Sequence, residues 1–175
     1  MRLMNSLLTV FFDIALFRRG PEDLPASRFL LTASFLAYTV SSVATSAVYT
    51  EEFFQIILEV LADISLMLAW YGVLLFLFSR RARLPQTLTA LFGTGALLYV
   101  VAFPVMSWLQ FQVDSQINLP LPTLLMIAIL MWSIAVAGHI VHRALEIPIV
   151  AGILMGILYF LVSVAVFSIL FGESG

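Results

Sequence analysis

The chain has 175 residues, 62% of them hydrophobic and only 10% charged, and its mean hydropathy is +1.10. A soluble domain carries about 45–50% apolar and about 25% charged residues, so this excess is more than a core can bury and points to a bilayer as solvent. Cysteine is absent, which excludes disulfides, thiolate metal sites, iron–sulfur clusters and a cysteine nucleophile. The net charge of −2 says little by itself, because the charges are unevenly placed.

Residues 1–20 form the first predicted unit, MRLMNSLLTVFFDIALFRRG. Arg2, Ser6, Thr9 and Asp13 recur at helical spacing on one face, and Leu3, Leu7, Phe11 and Ile14 fall on another. That pattern predicts an amphipathic helix lying in the membrane interface. A signal peptide is the competing reading, but Asp13 interrupts the apolar region and no small-residue cleavage site follows. The segment GPEDLPAS then breaks the chain: Gly20 can end a helix, Pro21 cannot continue one, and Ser27 can cap the next.

Residues 21–175 are expected to form one transmembrane domain of five spans, at about 29–49, 53–78, 88–109, 121–141 and 147–171. Pro104 falls inside the third span, where a kink is expected. The fold class is therefore all-α: a polytopic bundle of five transmembrane helices with an N-terminal interfacial helix.

The eight basic residues are all arginine. With the N-terminus in the cytoplasm, every one falls on the cytoplasmic side, and Glu51, Glu52, Asp114 and Glu173 fall outside. The positive-inside rule then places the N-terminus in the cytoplasm and the C-terminus outside. Arg18, Arg19, Arg80, Arg81, Arg83 and Arg143 are the candidate contacts to anionic lipid headgroups.

The second span contains two acids, Glu59 and Asp63, one helical turn apart. An acid at the bilayer centre costs about 2.5–3.5 kcal/mol on insertion, so both are expected to face protein or water. They continue a stripe that begins with Glu52 and Gln55. The first span offers partners at matching spacing. If spans one and two form an antiparallel hairpin, Ser42 lies near Glu59, and Tyr38 or Thr39 lies near Asp63, with Thr45 and Ser46 nearer the turn. No base is available at that depth, so double ionisation of the pair is opposed and at least one acid is expected to be protonated at neutral pH.

Two further motifs stand out. His139, His142 and Glu146 share a helix face in GHIVHRALE. They could in principle ligate a metal, but the simpler expectation is a bonded histidine beside headgroup-facing neighbours, with no metal. Gly152 and Gly156 form a GxxxG pair in the fifth span, expected to pack closely on another helix of the same chain. No phosphate loop or hydrolase motif is present, and the basic residues merely flank spans, so neither a cofactor nor a nucleic-acid partner is expected.

The amphipathic start NSLLTVFFDIALF, the break GPEDLPAS, five close-set spans and the segment VAGILMG together resemble the bacterial members of the Yip1-like family of small five-span membrane proteins. The resemblance implies a bacterial cytoplasmic (inner) membrane; eukaryotic members are associated with membrane trafficking, and no catalytic residues carry over from the family. The first functional reading is a non-enzymatic scaffold or accessory subunit that contacts the bilayer and other membrane subunits. The second is a small proton- or cation-coupled transporter using Glu59 and Asp63. The third is an intramembrane metal enzyme using His139 and His142.

Overall fold

A computed structural model describes residues 2–116 and 119–172, with side chains from residue 8 onward. The helices are α1 (Arg2–Ala15), α2 (Arg28–Ser46), α3 (Phe53–Leu77), α4 (Leu84–Ser115), α5 (Pro120–Leu145) and α6 (Ile149–Phe171). Short 3-10 turns at Pro21–Asp23 and Arg81–Arg83 precede α2 and α4. Five of the six helices, α2 to α6, are long and apolar enough to cross a membrane, and no strand occurs among the described residues. The protein is an all-helical, multi-pass bundle. Glu173 lies outside the described residues, as do the side chains of Arg2, Leu3, Ser6 and Leu7.

The helix boundaries follow local chemistry. Ser27 caps α2, its Oγ accepting from the Leu30 amide at 3.4 Å. Four helices end on a left-handed residue that is not glycine: Phe17, Ser79, Gln116 and Glu146 follow α1, α3, α4 and α5. After Phe17, Ser79 and Glu146 the next amide reaches back five residues, Arg18 to the Asp13 carbonyl, Arg80 to Leu75 and Ile147 to His142. That closure satisfies a terminal carbonyl otherwise left bare. The first helix therefore stops before Gly20, which instead donates its amide to Asp23 Oδ2 at 3.0 Å. At the far end of α4, Gln110 bonds Asp114 at 3.0 Å, and helix persists through residues expected to form a link. Pro104 sits inside α4 without ending it.

The first helix is more than a surface float. Val10, Phe11, Ile14 and Ala15 are buried, Ile14 completely, because the Phe11 ring packs over Gly93 of α4. Trp132 of α5 donates its indole N–H to the Ala15 carbonyl at 2.8 Å. A second apolar strip, Leu8, Phe12 and Leu16, faces outward. The helix thus touches the bundle on one side and presents apolar surface on another.

The packing order departs from a simple hairpin. The most extensive interface of α2 is with α4, and its contact with α3 is slighter. Gly95 of α4 is responsible in part, since a Cβ there would stand 2.6 Å from the Tyr38 ring. Phe35 meets the Phe92 ring edge-on at 5.4 Å between centroids and Tyr38 meets it tilted at 5.3 Å. By contrast, Ala37 and Ala44, the small residues of α2 available for a close approach to α3, face outward. At the other side of the bundle α5 and α6 meet through glycine. A Cβ on Gly138 would lie 2.7 Å from Ile153 Cα, and one on Gly156 would lie 2.9 Å from the Ile134 carbonyl oxygen. Gly152 abuts the Gly138 carbonyl. The GxxxG pair therefore packs within the chain, against a glycine of α5.

Candidate functional site

The hydroxyl stripe of α2 faces inward as its spacing requires: Ser34, Tyr38, Ser42, Thr45 and Ser46 are all buried. Opposite it, Glu59 is 7% exposed and Asp63 is half-buried. Asp63 lies ten residues into α3, about 15 Å at 1.5 Å per residue and so midway through a hydrocarbon core of about 30 Å. Neither acid faces lipid alone.

Their partners differ. Tyr38 donates to Asp63 Oδ2 at 2.5 Å. Glu59 receives two donors, the Gln55 side-chain amide at 3.0 Å and the Tyr49 hydroxyl at 3.2 Å. Ser46 stands 3.2 Å from the same Tyr49 oxygen. The expected set is partly rearranged. Thr39 turns back to the Phe35 carbonyl of its own helix at 2.9 Å, and Thr45 to Ser41 at 2.8 Å. Both satisfy their hydroxyls locally, as threonine in an apolar helix readily does. Ser42 does not bond Glu59; it is within hydrogen-bonding reach of Tyr99 on α4. Tyr49, just past the end of α2, takes the place expected for Ser42, because its longer side chain spans the gap left by the slight α2–α3 contact.

Sequence reasoning missed Tyr71, Tyr99 and Tyr159, which come from α3, α4 and α6 and lie within electrostatic reach of Asp63. Tyr38 and Tyr99 have ring centroids 5.3 Å apart, and Tyr71 and Tyr159 5.2 Å. The usable signal was the single tyrosine in each of these largely apolar spans, with Tyr71 two turns beyond Asp63 on α3.

Two cavities meet at Asp63. One, about 250 Å³, is walled by Ser42, Ser46, Tyr49, Glu59 and Phe167. The other, about 300 Å³, runs toward the arginine-bearing end between Tyr71, Leu91, Met126, Leu130 and Tyr159. Asp63, Tyr99 and Ser163 belong to both walls. No basic side chain lines either. The pair of acids therefore sits on a polar track that starts at the Glu52 end of α3 and reaches mid-membrane, with hydroxyls and one amide as its only hydrogen-bonding company.

The arginine-bearing end is built on different terms. Arg80 and Arg83 both pair with Glu146, and Arg143 pairs with Glu22. Arg19 and Arg18 pair with Asp13 at 3.2 and 4.0 Å. Arg81 stacks over the Phe76 ring at 3.6 Å. Arg83 also donates to the Ala144 carbonyl at 3.1 Å. The six arginines expected to meet lipid headgroups are thus engaged within the chain, five with carboxylates, which leaves less uncompensated charge for a lipid surface. The Arg83 guanidinium beside Glu146 holds that carboxyl below the usual carboxylate range.

The histidines are committed as well. His139 donates to the Arg19 carbonyl at 2.8 Å and meets the Phe17 ring edge-on at 5.5 Å. His142 bonds the Ile147 carbonyl, and Glu146 points to arginines. Among the described residues no three histidine, aspartate or glutamate side chains are placed to hold one ion. These residues tie α5 to the ends of α1 and α6. No protein-family model, curated protein or solved structure matches the chain, and what the site can do is read from its own geometry.

Proposed function

We propose that the protein is a small proton- or cation-coupled transporter that binds its ion at Glu59 and Asp63. One observation carries this reading: Asp63 lies between two adjoining cavities, Glu59 lines one of them, and no base lines either. An acid held only as a structural clamp needs no space beside it. Acids inside a membrane are costly to keep and are characteristically found on proton and ion paths. The path opens at the Glu51–Glu52 end and carries Gln55, Tyr49 and Ser46 on the way to Glu59.

Purified protein in sealed proteoliposomes should dissipate an imposed pH or sodium gradient, read with an entrapped dye. Glu59→Gln should slow this severalfold and Asp63→Asn should abolish it. Wild-type vesicles no leakier than empty ones would overturn the reading. The scaffold or accessory-subunit role would then take its place. Its support is α6, whose most apolar stretch is only 6% buried and so offers a broad surface to lipid or to a partner helix.

We infer further that the arginines lie in the cytoplasm and the C-terminus outside, following the one-sided placement of arginine, and that the membrane is a bacterial inner one, as the Yip1-like resemblance implies. The chain has no cysteine, so a Thr50→Cys variant should label from outside intact cells and an Ala82→Cys variant only after permeabilisation. The reverse pattern would sink the orientation. The Yip1-like resemblance is kept as a proposal, supported by the docked first helix, the proline-containing break, the five spans and the close packing at Gly152 and Gly156.

A further inference from the structure

Tyr71 is 2% exposed, yet its hydroxyl has no hydrogen-bond partner among the described residues, and the buried Tyr159 hydroxyl is likewise unpartnered. Both residues line the 300 Å³ cavity beside Asp63. An unpaired hydroxyl is disfavoured in any protein interior, and the more so where no bulk water can reach it. Other hydroxyls on that wall are satisfied by their own helices: Thr94 donates to the Ala90 carbonyl at 2.7 Å and Ser133 to Leu130 at 2.7 Å. Tyr38 is used on Asp63. Tyr71 and Tyr159 are the buried hydroxyls of that wall left, among the described residues, to meet something in the cavity.

What they would meet is set by the rest of the wall. Asp63 Oδ2 accepts from Tyr38, and Oδ1 accepts from no described residue, so one carboxylate oxygen is open. With the two phenol oxygens it makes three acceptors on the cavity wall, which four tyrosines line. The remaining wall is mostly aliphatic, including Leu91, Leu98, Met126, Ile129 and Leu130. The volume falls at the lower edge of ordinary small-molecule sites, about 300–1,000 Å³.

We propose that this cavity binds an amphiphilic amine, its ammonium head at Asp63, Tyr71 and Tyr159 and its apolar body along α4 and α5. A primary ammonium has three N–H donors, matching the three open acceptors, and its charge supplies the cation that the aspartate lacks. Tyrosine faces add cation–π attraction in a desolvated setting. The inference rests on the preceding reading only in taking Asp63 to face unfilled space, and it names a cargo or effector class for the same site.

The test uses the full chain in lipid nanodiscs and equilibrium dialysis with radiolabelled n-octylamine, which is octylammonium at neutral pH. Saturable binding is expected, displaced by excess unlabelled octylammonium but not by n-octanol, a neutral molecule of the same length. Asp63→Asn, which still offers Tyr38 an acceptor oxygen, should weaken binding at least tenfold. Tyr71→Phe with Tyr159→Phe should weaken it severalfold, and Glu146→Gln should leave it unchanged. Should Asp63→Asn fail to fold, the two phenylalanine variants decide, since they keep both rings. Displacement by octanol equal to that by octylammonium, unchanged binding in these variants, or uptake that never saturates would overturn the proposal. Saturable binding without any gradient-driven flux would leave this inference standing and remove the transporter. Flux without binding would do the reverse.

Discussion

The two ends of α3 treat a carboxylate in opposite ways. Beyond its arginine-bearing end, Glu146 is gripped by two guanidinium groups and Glu22 by a third. Toward its other end, Glu59 and Asp63 meet only hydroxyls and an amide. The arginine end can settle its charges cheaply because water lies close and both signs are present. The interior pair has no opposite charge to settle with, so it stays open to whatever enters the cavities. A charged group that is fully paired is a strut; one that is merely hydrogen-bonded can change state.

The contrast can be probed by removing one partner at each place. The larger effect is expected in the interior. Tyr38→Phe takes away the donor to Asp63 and should destabilise the protein by about 1–3 kcal/mol, the usual penalty for leaving a buried polar partner unsatisfied. Unfolding titrations in mixed micelles would measure it, and a loss no greater than that of an exposed substitution such as Leu36→Ala would erase the contrast. A smaller effect is expected at the arginine end, where the groups are solvent-exposed and screened. Its signature is pH. The Glu146 carboxyl is held low mainly by the hydrogen bond from Arg83. A folded-state pKa below the unfolded one stabilises above the ordinary carboxylate range, and that contribution fades as pH falls through the lowered value. Glu146→Gln should therefore cost stability at neutral pH, more in low salt than in high, and should match the wild type at acid pH. A difference that persists at low pH, or is indifferent to salt, would show that the ion pairs are not what holds this end.

Much of this arrangement could be read from periodicity. The five spans, the Ser27 cap, the inward hydroxyl face of α2 and the Gln55–Glu59–Asp63 stripe all follow from which residues share a helix face. Periodicity does not say which faces meet. Tyr99 and Tyr159 reach Asp63 because α2 packs chiefly on α4 and because α6 lies beside α3, and those choices depend on shape: the notch at Gly95 and the seam at Gly138. The arginine pairings were hidden for the same reason, since Arg80 and Glu146 lie 66 positions apart. The first helix shows the limit most plainly. Its amphipathic pattern announces an apolar face but does not tell whether lipid or protein covers it, and Phe11 and Ile14 met protein.

The length of α4 has a consequence for how the bundle sits in its bilayer. At 32 residues it measures about 48 Å at 1.5 Å per residue. Even leaning about 40°, near the steepest tilt of spanning helices, it would climb about 37 Å through a hydrocarbon layer about 30 Å thick. Its first turn is moored to α5 through Arg83, so the surplus emerges at the other end, where Gln110, Gln112 and Asp114 replace the aliphatic run. The molecule therefore meets water level at one face and stepped at the other, with a polar post standing on the side from which Glu59 is approached.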